Sequence, residues 1–125
     1  MSPSVLIVDD ETAICDNLSA FLEDEGMRTA VAHSGEQALE MIAAGLEVDV
    51  CIMDLRLPGM NGTAAILAIR ALRPGLGFVV HTGSAIENVA AELRRSGLPE
   101  ITVFSKPLDD MARLAAILDR LCTAS

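Results

Sequence analysis

The chain predicts a doubly wound α/β domain, and three observations carry that prediction. Five short strand-like segments, four of them apolar runs, alternate with five amphipathic patterns. The runs are solidly apolar rather than alternating, which suits strands buried on both faces of a parallel sheet. Turn residues separate each run from the next helical pattern, as βα units joined by right-handed crossovers require.

In order, Val5 to Asp9 reads as the first strand. A helix follows over about Glu11 to Glu25, with Ile14, Leu18, Phe21 and Leu22 on one face and Gly26 at its end. Arg28 to Ala32 is the second strand, and Gly35 to Gly45 holds a helix bearing Leu39 and Ile42. Asp49 to Asp54 is the third strand; the turn-rich stretch Leu57 to Gly62 leads into a helix that runs to about Leu72. Gly77 to His81 is the fourth strand, before a helix from about Ala85 to Ser96 that Gly97 ends. Ile101 to Phe104 is the fifth strand, and Leu108 to Leu121 the last helix.

Composition narrows the class. With 125 residues, 51% apolar and five prolines, the chain suits a single packed domain over 1–125. No apolar run approaches a membrane span, and the N-terminus lacks a secretory pattern, so the expectation is a soluble, cytoplasmic protein with no membrane partner. A net charge of −9, from 18 acids against nine Lys and Arg, argues against direct nucleic-acid binding. Cys15, Cys51 and Cys122 are odd in number and lack metal-type spacing, so they read as small packing residues, with Cys122 partly exposed.

The polar residues fall in a pattern. In a doubly wound sheet, ligands bind beyond the carboxyl ends of the strands. Asp9 and Asp10, Asp54, Thr82 and Lys106 all stand at or just past such ends. Three carboxylates at separations of about 4–5 Å would repel by about 3–4 kcal/mol per pair at an effective dielectric near 20. Lys106 offsets one charge and a divalent cation two more; hard oxygen donors favour Mg2+, or Mn2+ in its place. Asp54, alone at its strand end, is the better nucleophile toward a phosphoryl group. Asp9 and Asp10 are better placed to hold the ion, and Thr82 and Lys106 to meet phosphoryl oxygens. Gly83 and Gly59 would leave the approach uncrowded. Each feature also has a plainer use: acids before a helix cap it, Thr82 can cap the helix after it, and Lys106-Pro107 can be only a turn. A charge ending an apolar strand is the hardest to explain away, because burying it unpaired is costly.

The segments Val8-Asp9-Asp10-Glu11, Met53 to Gly62, Thr82-Gly83 and Ser105-Lys106-Pro107 resemble the receiver domain of bacterial two-component response regulators. The resemblance implies a flavodoxin-like sheet in the order 2-1-3-4-5. It makes Asp54 the phosphoacceptor, and gives the metal Asp9, Asp10, Asp54 and the backbone carbonyl of Arg56. Thr82 and Lys106 would bind the phosphoryl group, and Lys106-Pro107 is a candidate cis peptide. The implied partners are a sensor histidine kinase or histidine phosphotransfer protein and an effector protein. The oligomeric state would be a monomer or a phosphorylation-dependent dimer. The implied chemistry is the protein's own phosphotransfer and autodephosphorylation, without turnover of another substrate.

Two departures concern the readout, in the switch region of Thr82, Val103 and Phe104. The family's aromatic residue stands three places before the lysine; here that place holds Val103, and Phe104 follows it. A one-residue shift on a strand puts a side chain on the other face. Gly97 to Lys106 is also about two residues longer than the family's spacing, with Leu98-Pro99-Glu100 in the loop. Two other function classes stay open: a receiver-fold binding module that works without phosphate, and an aspartyl-nucleophile phosphatase. The second lacks the acid that the haloacid dehalogenase group needs two residues past the nucleophile, where this chain has Arg56. The side chain of Arg56 either reaches over the pocket or is solvated. His81 either lines the site or faces solvent as a bystander, and His33 lies in a loop without a chemical role.

Overall fold

The computed structural model describes residues 3–123. Among them, five strands and five helices alternate: β1 (Ser4–Val8), α1 (Thr12–Asp24), β2 (Arg28–Ala32), α2 (Gly35–Ala43), β3 (Val50–Met53), α3 (Gly62–Leu72), β4 (Gly77–Thr82), α4 (Ile86–Arg95), β5 (Thr102–Ser105) and α5 (Met111–Thr123). The strands form one parallel sheet in the order β2-β1-β3-β4-β5. This is the flavodoxin-like order expected, with a change of winding direction between β1 and β3.

Period-two alternation along the strands divides the core. Leu6, Val8, Cys51, Met53, Phe78 and Val80 pack with residues of α2, α3 and α4. Val5, Ile7, Val50, Ile52, Val79 and Phe104 pack with residues of α1 and α5. Nearly all of these are fully buried, which is why the strands read as solid apolar runs. Cys15 and Cys51 are buried in these cores and Cys122 is half-buried. Burial pushes the Cys15 and Cys122 thiols up to about 11. No helix among the described residues is long and apolar enough to cross a membrane.

Local chemistry sets the helix ends. Ser34 Oγ and Asn61 Oδ1 accept the backbone N–H of Gln37 and Ala64 at 3.0 and 2.9 Å. Gly97 ends α4 at φ 79°, with Leu98 N–H returning to the Leu93 carbonyl at 2.8 Å. This closure buries Leu98 and starts the longer connection to β5, which an ion pair between Glu100 and Arg70 of α3 ties to that helix at 3.1 Å. The start of α5 differs from expectation. The helix begins at Met111 rather than Leu108, because Asp110 Oδ1 accepts the Arg113 N–H at 2.9 Å and so caps it. Lys106 to Leu108 are left in a turn, and the Lys106-Pro107 peptide is cis.

Candidate functional site

Parallel register brings the strand ends together. Val8 and Val80 both pair with Met53, and Thr82 pairs with Ser105. One further ladder bond follows each pair: Asp54 N–H to the Val8 carbonyl at 3.0 Å, and Lys106 N–H to the Thr82 carbonyl at 2.8 Å. Asp9, Asp54, Thr82 and Lys106 therefore converge although up to 97 positions separate them (106 − 9).

The two buried aspartates are held alike. Asp9 Oδ1 accepts the Glu11 N–H at 2.9 Å, and Asp54 Oδ1 accepts the Arg56 N–H at 3.0 Å. Each carboxylate closes a turn on the amide two residues on, which fixes its rotamer. The other oxygens face Lys106, whose Nζ lies 2.8 Å from Asp9 Oδ2, 3.1 Å from Asp54 Oδ2 and 3.1 Å from Glu11 Oε2. An ammonium has three donors, and three carboxylates can take them. Burial alone would lower the Lys106 pKa. The bonds to Asp9, Glu11 and Asp54 outweigh it and hold the ammonium well above the ordinary lysine value.

Carboxylate oxygens of Asp9, Asp10 and Asp54 lie within 4.8 Å of one another. Asp9 and Asp54 are only 2% and 4% exposed, while Asp10 opens to solvent. A cavity of about 370 Å³ above them is lined by Asp10, Glu11, Asp54, Arg56, Ser84 and Lys106, with Gly83 at its edge. Asp9, Asp10, Glu11 and Asp54 supply four negative charges to this corner, and Arg56 and Lys106 two positive ones. The balance of two is what one divalent cation removes, and an all-oxygen donor set fits Mg2+ or Mn2+.

The plainer readings find partial support. Neither acid of the pair caps α1: its N-cap residue is Glu11, which makes no side-chain cap bond. Thr82 Oγ1 accepts the Ser84 N–H at 3.3 Å, which leaves the hydroxyl proton for another acceptor. Thr82 is fully buried and lies below the cavity lining. Gly83 does flank the approach. Gly59 does not line the cavity; it takes a φ of 76°, and a Cβ there would come 2.7 Å from Glu36 Oε2, which accepts the Met60 N–H.

Several residues escape sequence reasoning. Glu11 follows the acid pair directly, so its place in the motif was a usable signal for its bond to Lys106. Arg56 is not freely solvated: Nε donates to Ser84 Oγ at 2.8 Å and Nη1 to Glu92 Oε1 at 3.3 Å. Nothing in the spacing announces Ser84 or Glu92. His33, expected to be idle, places Nδ1 3.3 Å from the Asp9 carbonyl. Val103 packs with the α3/α4-side core and Phe104 with the α5 side, beneath the Arg113 guanidinium at 4.7 Å. The two are on opposite faces, as the one-residue shift requires.

His81 meets neither expectation. It is 5% exposed, and neither ring nitrogen has a hydrogen-bond partner among the described residues. It borders a separate cavity of about 200 Å³ with Ile14, Leu18, Lys106 and Pro107. Burial, then the Lys106 charge, lowers its pKa from 6.5. The unfolded chain therefore binds a proton below 6.5 that the folded chain refuses, so this residue subtracts stability as pH falls from there toward its folded value. His81→Leu is expected to raise stability at neutral pH by about 1 kcal/mol, by removing unsatisfied polar atoms. It should also flatten the stability–pH slope just below 6.5. Urea midpoints across that range check both, and an unchanged slope would count against it.

The chain is 35% identical over 113 residues to the alginate biosynthesis transcriptional regulatory protein AlgB of Pseudomonas aeruginosa, covering 90% of this chain and 24% of that protein. It is 33% identical over 105 residues to the transcriptional regulatory protein ZraR of Escherichia coli, covering 84% of this chain and 23% of that one. It thus spans about a quarter of the length of these curated relatives. A CheY-like response regulator receiver domain protein from Methanospirillum hungatei superposes with a TM-score of 0.84 at 28% identity, covering all of both chains. Residues 5–119 match the family model of the response regulator receiver domain, and the chain belongs to that family of two-component signalling proteins.

Proposed function

We propose that the chain is a phosphorylation-dependent switch, a cytoplasmic receiver that takes a phosphoryl group onto Asp54. The donor is a phosphohistidine on a sensor histidine kinase or a histidine phosphotransfer protein. The observation that supports this best is the paired geometry of Asp54, whose Oδ1 is tied to a backbone amide and whose Oδ2 faces Lys106 at 3.1 Å. An Asp54 oxygen attacks phosphorus, the P–N bond breaks, and its electron pair stays on the imidazole. Lys106 moves from the carboxylates onto a phosphoryl oxygen, and the Thr82 hydroxyl donates to another. Asp9, Asp10, Asp54 and the Arg56 backbone carbonyl would hold Mg2+, with Mn2+ as a substitute. The bound cation supplies charge neutralisation at the transferring group.

Output passes to an effector protein that reads the altered surface, by a monomer or a phosphorylation-dependent dimer. Moving such an equilibrium from 1:99 to 99:1 takes about 5.5 kcal/mol of differential stabilisation. Incubation with a small phosphodonor and Mg2+ should add one phosphoryl group by intact mass, and Asp54→Asn should abolish it. A wild-type chain that gains no covalent phosphate sinks the proposal. Val103 in place of an aromatic supports a second reading, a binding module indifferent to phosphate. Equal partner affinity with and without the phosphodonor would favour it.

A further inference from the structure

On the face of β5 toward α4 the chain presents Val103, and Phe104 is buried on the other side. A polar chain runs from the Asp54 site to α4 instead. Arg56 Nε donates to Ser84 Oγ at 2.8 Å, Nη1 reaches Glu92 Oε1 at 3.3 Å, and Glu92 Oε2 accepts the Thr63 hydroxyl at 2.6 Å. The four residues stand on the β3–α3 connection, the β4–α4 connection, α4 and the first turn of α3. They tie together the segments that surround the cavity.

The links are unequal. Thr63 is buried, and its bond to Glu92 is short and charge-assisted, the strong kind. The Arg56 side chain is half exposed, where an ion pair is weak. Glu92 is thus anchored to α3, and the guanidinium is the arm that can let go. The Arg56 backbone is pinned by its N–H on Asp54 Oδ1, and Asp54, Arg56 and Ser84 line one cavity. A phosphoryl group on Asp54 brings added negative charge and three acceptor oxygens into that cavity, and a guanidinium fork matches phosphate geometry.

We propose that Glu92 is a positioning residue that holds the Arg56 guanidinium, and through it Ser84, in the unphosphorylated arrangement. Transfer of the guanidinium from Glu92 to the phosphoryl group carries the signal to α4. The inference rests on Asp54 being the phosphoacceptor. Once Arg56 releases Ser84, the connection from Thr82 to α4 is free to shift. The Ser84 N–H, which Thr82 Oγ1 accepts at 3.3 Å, then moves with that connection and frees Thr82 from its tie to Ser84. The start of α4 offers little resistance: Ala85 makes no side-chain cap bond and Ile86 is exposed.

Glu92→Gln tests this, because the amide keeps the shape and an acceptor for Thr63 while removing the charge that competes for Arg56. Thr63→Val is a second variant, which unfastens Glu92 from α3 at nearly constant volume. With acetyl phosphate and Mg2+, both should gain the same single phosphoryl mass as the wild type. Amide exchange across residues 86–95 should change on phosphorylation of the wild type, and that change should shrink roughly threefold in either variant, the size a half-exposed ion pair supports. A full-sized α4 response in both phosphorylated variants overturns the inference. A wild-type chain that takes no phosphate overturns the phosphoacceptor reading, and this one with it.

Discussion

Gly62→Ala is expected to destabilise the fold by about 3 kcal/mol, at the upper end of what overpacking a close contact costs. Gly62 opens α3 directly beneath the end of β3, and its N–H donates to the Leu55 carbonyl at 3.1 Å. A Cβ there would lie 2.6 Å from Leu55 Cα and would overlap the Asp54 carbonyl oxygen. These are backbone atoms, so no rotamer change relieves the clash. Either α3 withdraws, and loses packing of Ala65, Ile66 and Ile69, or the Asp54–Leu55 peptide moves and takes the carboxylate with it. Urea unfolding measures the first cost, and the rate of phosphate uptake from a small donor reports the second. A variant with wild-type midpoint and wild-type uptake would contradict the argument. Because Gly62 has no positive φ, the requirement is for space and not for an unusual backbone angle.

Lys106→Met is expected to cost about 3 kcal/mol in metal-free buffer, the lower part of the range for breaking a buried ion pair. The aliphatic stem is kept, so the loss is mainly electrostatic. It leaves Asp9 and Asp54, nearly excluded from water, without their nearest cation. The bond to Glu11 contributes little, since that carboxylate is exposed. A divalent cation competes with the ammonium for the same oxygens. Removing Lys106 should therefore make stability depend more steeply on Mg2+, with much of the deficit recovered when the ion is abundant. Paired urea melts with Mg2+ and with chelator check this. Equal midpoints for variant and wild type in chelator would refute the claim that Lys106 is the resident counter-ion.

Fold and site were legible in the sequence to different depths. Apolar runs marked β1, β3, β4 and β5, because strands buried in the sheet have few solvent-facing positions to interrupt them, while the edge strand β2, with its exposed Arg28, followed only from its place in the alternation. The end of each run located Asp9, Asp54, Thr82 and Lys106, since parallel strands in one sheet finish on the same edge. Helix starts were less clear. Leu108 looked apolar enough to begin α5, but the helix waited for a side chain able to cap it, Asp110. Gly59 and Gly83 look alike in sequence, and only their neighbours distinguish a turn against Glu36 from an opening onto the cavity.

By itself the sequence determined the order of elements, the burial of the strands and the chemical kind of site. Those depend on local pattern: apolar period, turn residues and the residue type that ends each run. Only the tertiary structure decided which groups share a proton, a charge or a contact across long separations. That Lys106 bridges Asp9, Glu11 and Asp54, that His81 is buried with no hydrogen-bond partner among the described residues, and that Arg56 joins Ser84 to Glu92 are matters of distance in space. Electrostatic energy falls with that distance and with exposure to water, and neither quantity is written in the order of residues.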